Sequence, residues 1–369
     1  MKRIILVKIY IVIIFSIVSI VLGQQKASQN KKVKIVQNSE KGIWDINQKK
    51  RIELKKDIEI GMLEGDENKM FYRISDVKVD SRGNIYVLER GNKRVQKFDK
   101  NGNYLMTIGK EGEGPGEFTN PIELFVTNDL FIYVLDDRNM RVSKFSHSGN
   151  FLNSFRPKHR PIDFIVDSNK NTIVLENGHP DFKFFKYDEK GNIIQSFGEI
   201  IKGNNIFETA IFNKGCVSID EYDCIYMSYT QPYKIEKYDS NGKLTAIYSR
   251  ELPYKIVEPE TNIEDQSKNI RAVRFNFYTR LAADIVVKNE KIFHLITDGK
   301  SILTEGRYID IFDFNGVYLQ KIDLKNPIRK FCLDSFGNFY FAVEISQVIK
   351  SNNNDNSIFV PKVERYVIK

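Results

Sequence analysis

The sequence predicts an all-β fold built from one repeated four-stranded unit, and three observations carry that prediction. The composition favours pleated surfaces, with 18 Tyr and 26 Phe among 369 residues. Short alternating apolar runs are punctuated by Asp-x-x-Gly tetrads, in which the Asp side chain and a left-handed Gly suit tight hairpins. The tetrads mark units about 40 to 70 residues apart, the size of a propeller blade.

The unit is clearest in residues 74–109, ISDVKVDSRGNIYVLERGNKRVQKFDKNGNYLMTIG. It reads as strand 75–79, turn 80–83, strand 85–88, a polar loop, strand 94–98, turn 99–102 and strand 104–108. The second turn recurs at Ser146, Asp188, Asp239 and Asp313, each directly after an aromatic: Phe145, Tyr187, Tyr238 and Phe312. The first turn recurs at Asp167, Asp220 and Asp334, with weaker forms at 127–129 and 288–290. These make six units. The sixth lacks its fourth strand, and residues 52–61 match the fourth strands that end in Gly109 and Gly198. The expected architecture is a six-bladed β-propeller of four-stranded antiparallel blades over residues 51–369. Its last blade is closed by an N-terminal strand, which leaves no free ring end. Residues 252–280 read as an insertion without repeat character.

The stretch GKEGEGPGEF, residues 109–118, is one copy of a connector between blades. A Gly-to-Phe spacing of nine separates Gly109 from Phe118 and Gly198 from Phe207, and one of ten separates Gly61 from Phe71. The Phe is expected to anchor the connector between blades. A phosphate-binding role fails because Glu111, Glu113 and Glu117 would repel an anion, Pro115 lacks an amide donor, and no Gly-Lys-Ser/Thr follows.

Residues 74–155 resemble NHL repeats, through Val77–Val87 (hydrophobic-x-hydrophobic-Asp-x-x-Gly-Asn-Ile-Tyr-Val), Asn92–Val95 and Phe98–Gly102. Residues 51–369 as a whole resemble the bacterial secreted six-bladed propellers related to that family. The resemblance does not choose a function, because propellers host many, and it brings in enzymes with zinc held by histidines or a central calcium held by Glu, Asn and Asp.

The chain opens with a basic segment, Lys2 to Lys8, followed by an apolar run to Leu22, with Val21 and Gly23 suited to signal-peptidase cleavage. Residues 1–23 therefore read as a signal peptide, with an uncleaved anchor as the alternative, and the folded part as extracytoplasmic. Residues 24–50 read as a basic polar linker, and the N-terminus is the chain's only expected route to a membrane. Residues 24–57 carry ten Lys/Arg against four Asp/Glu, whereas 58–369 sum to −1. A near-neutral propeller disfavours nucleic acid as a partner. Cys216, Cys224 and Cys332 are odd in number, so at least one is an unpaired thiol, and no disulfide is expected.

Two readings of the site follow. In the first, the loop face binds a protein, peptide or glycan without catalysis or cofactor. Its ligand-binding candidates are Glu89, Asp136, Asp137 and Glu176 at the second-strand ends, with Asp298 and Glu344 as looser equivalents. Arg271, Arg274 and Tyr278 in the insertion join them. Those acids can alternatively bond the amides of their own loops, with Arg94 and Arg141 paired to them. In the second, a metal-dependent lyase or hydrolase works at the central channel, holding Ca²⁺ on carboxylates or Zn²⁺ on His159, His179 and His294. His147 lies in an outer turn, away from any central metal.

Overall fold

The computed structural model describes residues 32–47, 52–254, 261–266, 269–275, 281–297, 306–351 and 354–368, with backbone alone for 261–266, 269–275, 344–351 and 354–359. Six antiparallel blades follow one another. Blade 1 comprises Ile74–Val79, Ile85–Glu89, Arg94–Phe98 and Tyr104–Ile108. Blade 2 comprises Pro121–Val126, Ile132–Asp136, Arg141–Phe145 and Phe151–Phe155. Blade 3 comprises Arg160–Val166, Thr172–Asn177, Phe182–Tyr187 and Ile193–Glu199. Blade 4 comprises Gly215–Ile219, Ile225–Tyr229, Ile235–Tyr238 and Leu244–Arg250.

Blade 5 starts with Ala282–Lys288, Lys291–Ile296 and Gly306–Asp313. The long strand Tyr318–Leu333 then serves two blades. Its residues 318–323 pair with blade 5 and its residues 328–333 begin blade 6, which continues through Phe339–Ser351 and Asn354–Ile368. The N-terminal strand Leu54–Ile60 completes blade 6, from Leu54 opposite Ile368 to Ile60 opposite Val363. Ring closure is thus as the sequence predicts.

The core lies mainly between blades. Tyr86, Leu88 and Val95 of blade 1 pack on Leu124, Ile132 and Val134 of blade 2, and comparable clusters fill the other interfaces. Burying such side chains contributes about 1.5–3 kcal/mol each, so every blade depends on its neighbours.

Two segments depart from the sequence reading. Residues read as a linker supply a fifth strand on blade 4: Lys34–Asn38 runs parallel to Leu244–Arg250. It is held there because the Asn38 amide reaches three backbone groups, donating to Ser249 O and Gly316 O and accepting from Tyr318 N, all at 2.9 Å. The connector after Gly198 is not a copy of the one after Gly109. It folds into the short helix Ile206–Phe212, capped by Asn205, and buries Ile211 where Phe207 was the expected anchor.

Candidate functional site

A propeller has two faces. Here one carries the hairpin turns headed by Asp80 and Asp99 and their equivalents, and is called the turn face. The other, the loop face, carries the loops after the second strands and the connectors between blades.

On the loop face, the predicted carboxylates are committed to their own loops. Glu89, buried, accepts from Tyr72 N (3.1 Å), Asn92 Nδ2 (2.6 Å) and Arg94 Nε (2.7 Å). Asp136, also buried, accepts from the amides of Thr119, Asn120, Arg138 and Asn139. Asp137 takes the Asn120 side-chain amide, and Glu176 takes His159 N (2.8 Å) and Tyr187 Oη (2.5 Å). Arg94 pairs with Glu89 as expected, but Arg141 does not pair with Asp136. That carboxylate is a methylene shorter and already filled by amides, so Arg141 donates to the connector carbonyls of Glu113, Gly114 and Glu117. The glycine-rich stretch folds as a connector. Residues 110–111 pair with 117–118, and Phe118 is fully buried 5.7 Å from the ring of Phe145. A side chain at Gly109 would collide with Phe118.

The histidines do not converge as a set of three. His159 and His179 are neighbours on blade 3, with ring centres 5.3 Å apart, and His159 Nδ1 lies 2.9 Å from Glu176. His294 is fully buried between blades 4 and 5, its Nε2 2.5 Å from Ser228 Oγ and its ring beside Tyr233. Among the described residues, no three His, Cys, Asp or Glu are grouped to hold a metal ion. The residues described for 252–280 include an antiparallel hairpin, Thr261–Gln266 with Asn269–Phe275, which forms a two-stranded sheet of its own. Arg271 and Arg274 lie on its second strand, and Tyr278, Asp298 and the segment 1–23 lie outside the described residues. No described helix is long and apolar enough to cross a membrane. All three cysteines are free thiols, and Cys216 faces Ser228, not Cys224, across its hairpin.

The site that sequence reasoning missed is the hub. Each innermost strand places one residue four positions before its first turn: Asp76, Glu123, Asp163, Cys216, Asp284 and Lys330 in blades 1 to 6. Residues two positions later, including Lys78 and Cys332, share that face. Both sets contribute to the walls of a cavity of about 160 Å³ at the channel centre. Lys330 of blade 6 spans the hub to Glu123 of blade 2 (2.9 Å) and Asp284 of blade 5 (3.2 Å), while Lys78 holds Asp76 (2.6 Å). Four carboxylates thus share two ammonium groups. Burial, reinforced by Asp163 and Asp76 and opposed by Lys330, pushes Glu123 well above the usual carboxylate range. Burial likewise raises Asp163 to about 6 and pushes the Cys216 thiol up, so Cys216 is no ready nucleophile. Against burial, Asp284 and Glu123 keep Lys330 firmly charged. The signal was present in the sequence as a constant offset from the turns. It shows only when six dissimilar residues are aligned.

Fold and hub together define a six-bladed propeller with a charged, internally paired centre. Residues 24–300 match the model of a family described as a 6-bladed beta-propeller, and the chain belongs to that family. Among solved structures, it is similar to a candidate exported protein of Bacteroides fragilis (15% identity, 91% of this chain and 100% of that one, TM-score 0.56). It is also similar to a catalytically inactive virginiamycin B lyase from Staphylococcus aureus, determined with quinupristin (10% identity, 86% and 99% covered, TM-score 0.52). At these identities the likenesses speak to fold alone. No curated protein matches the chain.

Proposed function

We propose that the chain is an exported, non-catalytic binding propeller that recognises a protein, peptide or glycan on its loop face. The observation that carries this reading is the lopsided build of that face. Blades 1 to 3 cross it with four-residue loops after their second strands. Blade 6 instead extends its second and third strands well past its inner strand, in register from Glu344 opposite Pro361 to Ser351 opposite Asn354. The hairpin 261–275 leaves from the connector between blades 4 and 5, on the same face. Neither extension closes the ring, and recognition loops on a rigid scaffold are the usual purpose of such additions. Export is supported by the character of residues 1–23 and by the likeness to a candidate exported protein. A metal enzyme built on His159, His179 and His294 has no support in their placement.

Site-specific photo-crosslinking tests this. A diazirine amino acid is placed at 347 or 264 on the extensions, or at Ser148 in an outer turn on the opposite face, in cells producing the full chain. Discrete adducts from 347 and 264, weak or absent from 148, are expected. Adducts that are equal from all three positions, or absent from both extensions, would overturn the assignment.

A further inference from the structure

The six hub positions divide into two sets. In blades 1, 3 and 5 the residue is an aspartate that bolts its blade to the next: Asp76 accepts from Leu124 N (2.9 Å), Asp163 from Val217 N (3.0 Å) and Asp284 from Phe331 N (3.2 Å). These three explain themselves as structure. In blades 2, 4 and 6 the residues are Glu123, Cys216 and Lys330, none of which is an aspartate bolt. Cys216 gives its thiol to Ala283 O, leaving Glu123 and Lys330 as a buried ion pair facing the cavity. A buried pair of this kind is poor value for stability, since apolar side chains of similar volume do as well or better.

The hub cavity is also not sealed. Phe125, Val126, Ile219 and Lys288 line both it and a funnel of about 700 Å³ that opens on the turn face. Apolar side chains such as Phe314 and Val287 form part of the funnel wall, and the acids Glu221, Asp223 and Glu290 line it together with Lys170 and Lys288. A concave, partly apolar space leading to a few convergent charged groups is the ordinary form of a small-molecule site.

We infer that this funnel is a second binding site, which takes an amino acid or short peptide carrying a free ammonium group and a carboxylate. Such a molecule inserts between Glu123 and Lys330 and restores both charge pairings, ammonium to Glu123 and carboxylate to Lys330. Because carboxylates outnumber lysines both at the hub and in the funnel lining, the ammonium group carries the larger share of the affinity. The hub is on the channel axis and the funnel is on the face opposite the hairpins, so the site is independent of the loop-face reading.

Thermal-shift and calorimetric titration of the full chain test it with L-alanine, Ala-Ala, Ala-Ala-amide and N-acetyl-Ala-Ala as probes. L-alanine or Ala-Ala should bind, the amide should bind a few-fold more weakly, and the acetylated form at least about 10-fold more weakly, the worth of one charge-assisted bond. Comparing alanine with the dipeptide separates free amino acid from peptide. Lys330→Met should abolish the distinction between Ala-Ala and its amide. If Lys330→Met does not fold, the comparison of capped and free probes on the native chain still decides. No binding of any probe, or equal binding of the acetylated form, would overturn the inference. A chain with 344–359 replaced by a two-residue turn should keep this binding, which separates its failure from that of the loop-face proposal.

Discussion

Single residues set the geometry of this protein in two different ways, through turns and through buried polar groups. Asp80, Asp99, Asp167, Asp188, Asp220, Asp239, Asp313 and Asp334 each accept from the amides two and four residues on. That local bond is why the turns, and hence the blades, were legible from spacing alone. The buried polar groups were not legible, because their partners lie in other blades. His294 is the clearest case. Burial, assisted by the charge of Arg250, lowers its pKa from 6.5 to about 3. A histidine kept neutral in the fold but free to protonate when unfolded contributes stability that is complete above about pH 6.5. That stability falls by about 1.4 kcal/mol for each unit below it, until the folded pKa is reached. Urea unfolding of the native chain and His294→Gln between pH 7.5 and 4.5 checks this. The stability difference between them should move against the native chain by about that slope, and a difference independent of pH would refute it.

At the scale of elements, the closing strand was readable because Leu54–Ile60 repeats the pattern of the other fourth strands. The belt before it was not. Lys34–Asn38 is short and mostly exposed, with Ile35 pointing to solvent, so its two apolar residues mark no buried face and do not stand out from the polar segment around them. What orders it is tertiary: the three bonds of Asn38, the close approach of Gly42 to Leu319 O, and Trp44 packed on the core shared by blades 5 and 6. The belt thus ties blade 4 to blade 5 before the chain closes blade 6. Asn38→Ala leaves two carbonyls and an amide without their partner, and should cost about 1–3 kcal/mol. Trp44, the one tryptophan, reports on it directly. In the variant its fluorescence should change at lower urea than the far-ultraviolet dichroism of the blades, whereas coincident transitions would mean that the belt and ring are one cooperative unit.

At the scale of the whole ring, the hub is where all six blades meet, and Lys330 is the charge that lets them. It is nearly buried, as are its partners Glu123 and Asp284, and removing one member of a buried pair costs about 3–5 kcal/mol because the other is left uncompensated. Lys330→Met should lose about that much at pH 8. The sign of the pH dependence follows from the carboxylates. Burial already holds the Glu123 carboxyl above its unfolded value against the opposing charge of Lys330, and removing that ammonium group raises it further. Its contribution is then fully present below about pH 4 and lost as pH rises through the raised value. The deficit of the variant against the native chain should therefore shrink steadily as pH falls from 8 towards 5, the same direction in which the comparison with His294→Gln moves. Adding Glu123→Gln to Lys330→Met should recover part of the loss at pH 8 and weaken its pH dependence, because one of the stranded charges is gone. A deficit unchanged by pH or by the second substitution would mean that Lys330 stabilises the hub by packing its hydrocarbon stem, and that the ring is held by shape and not by charge.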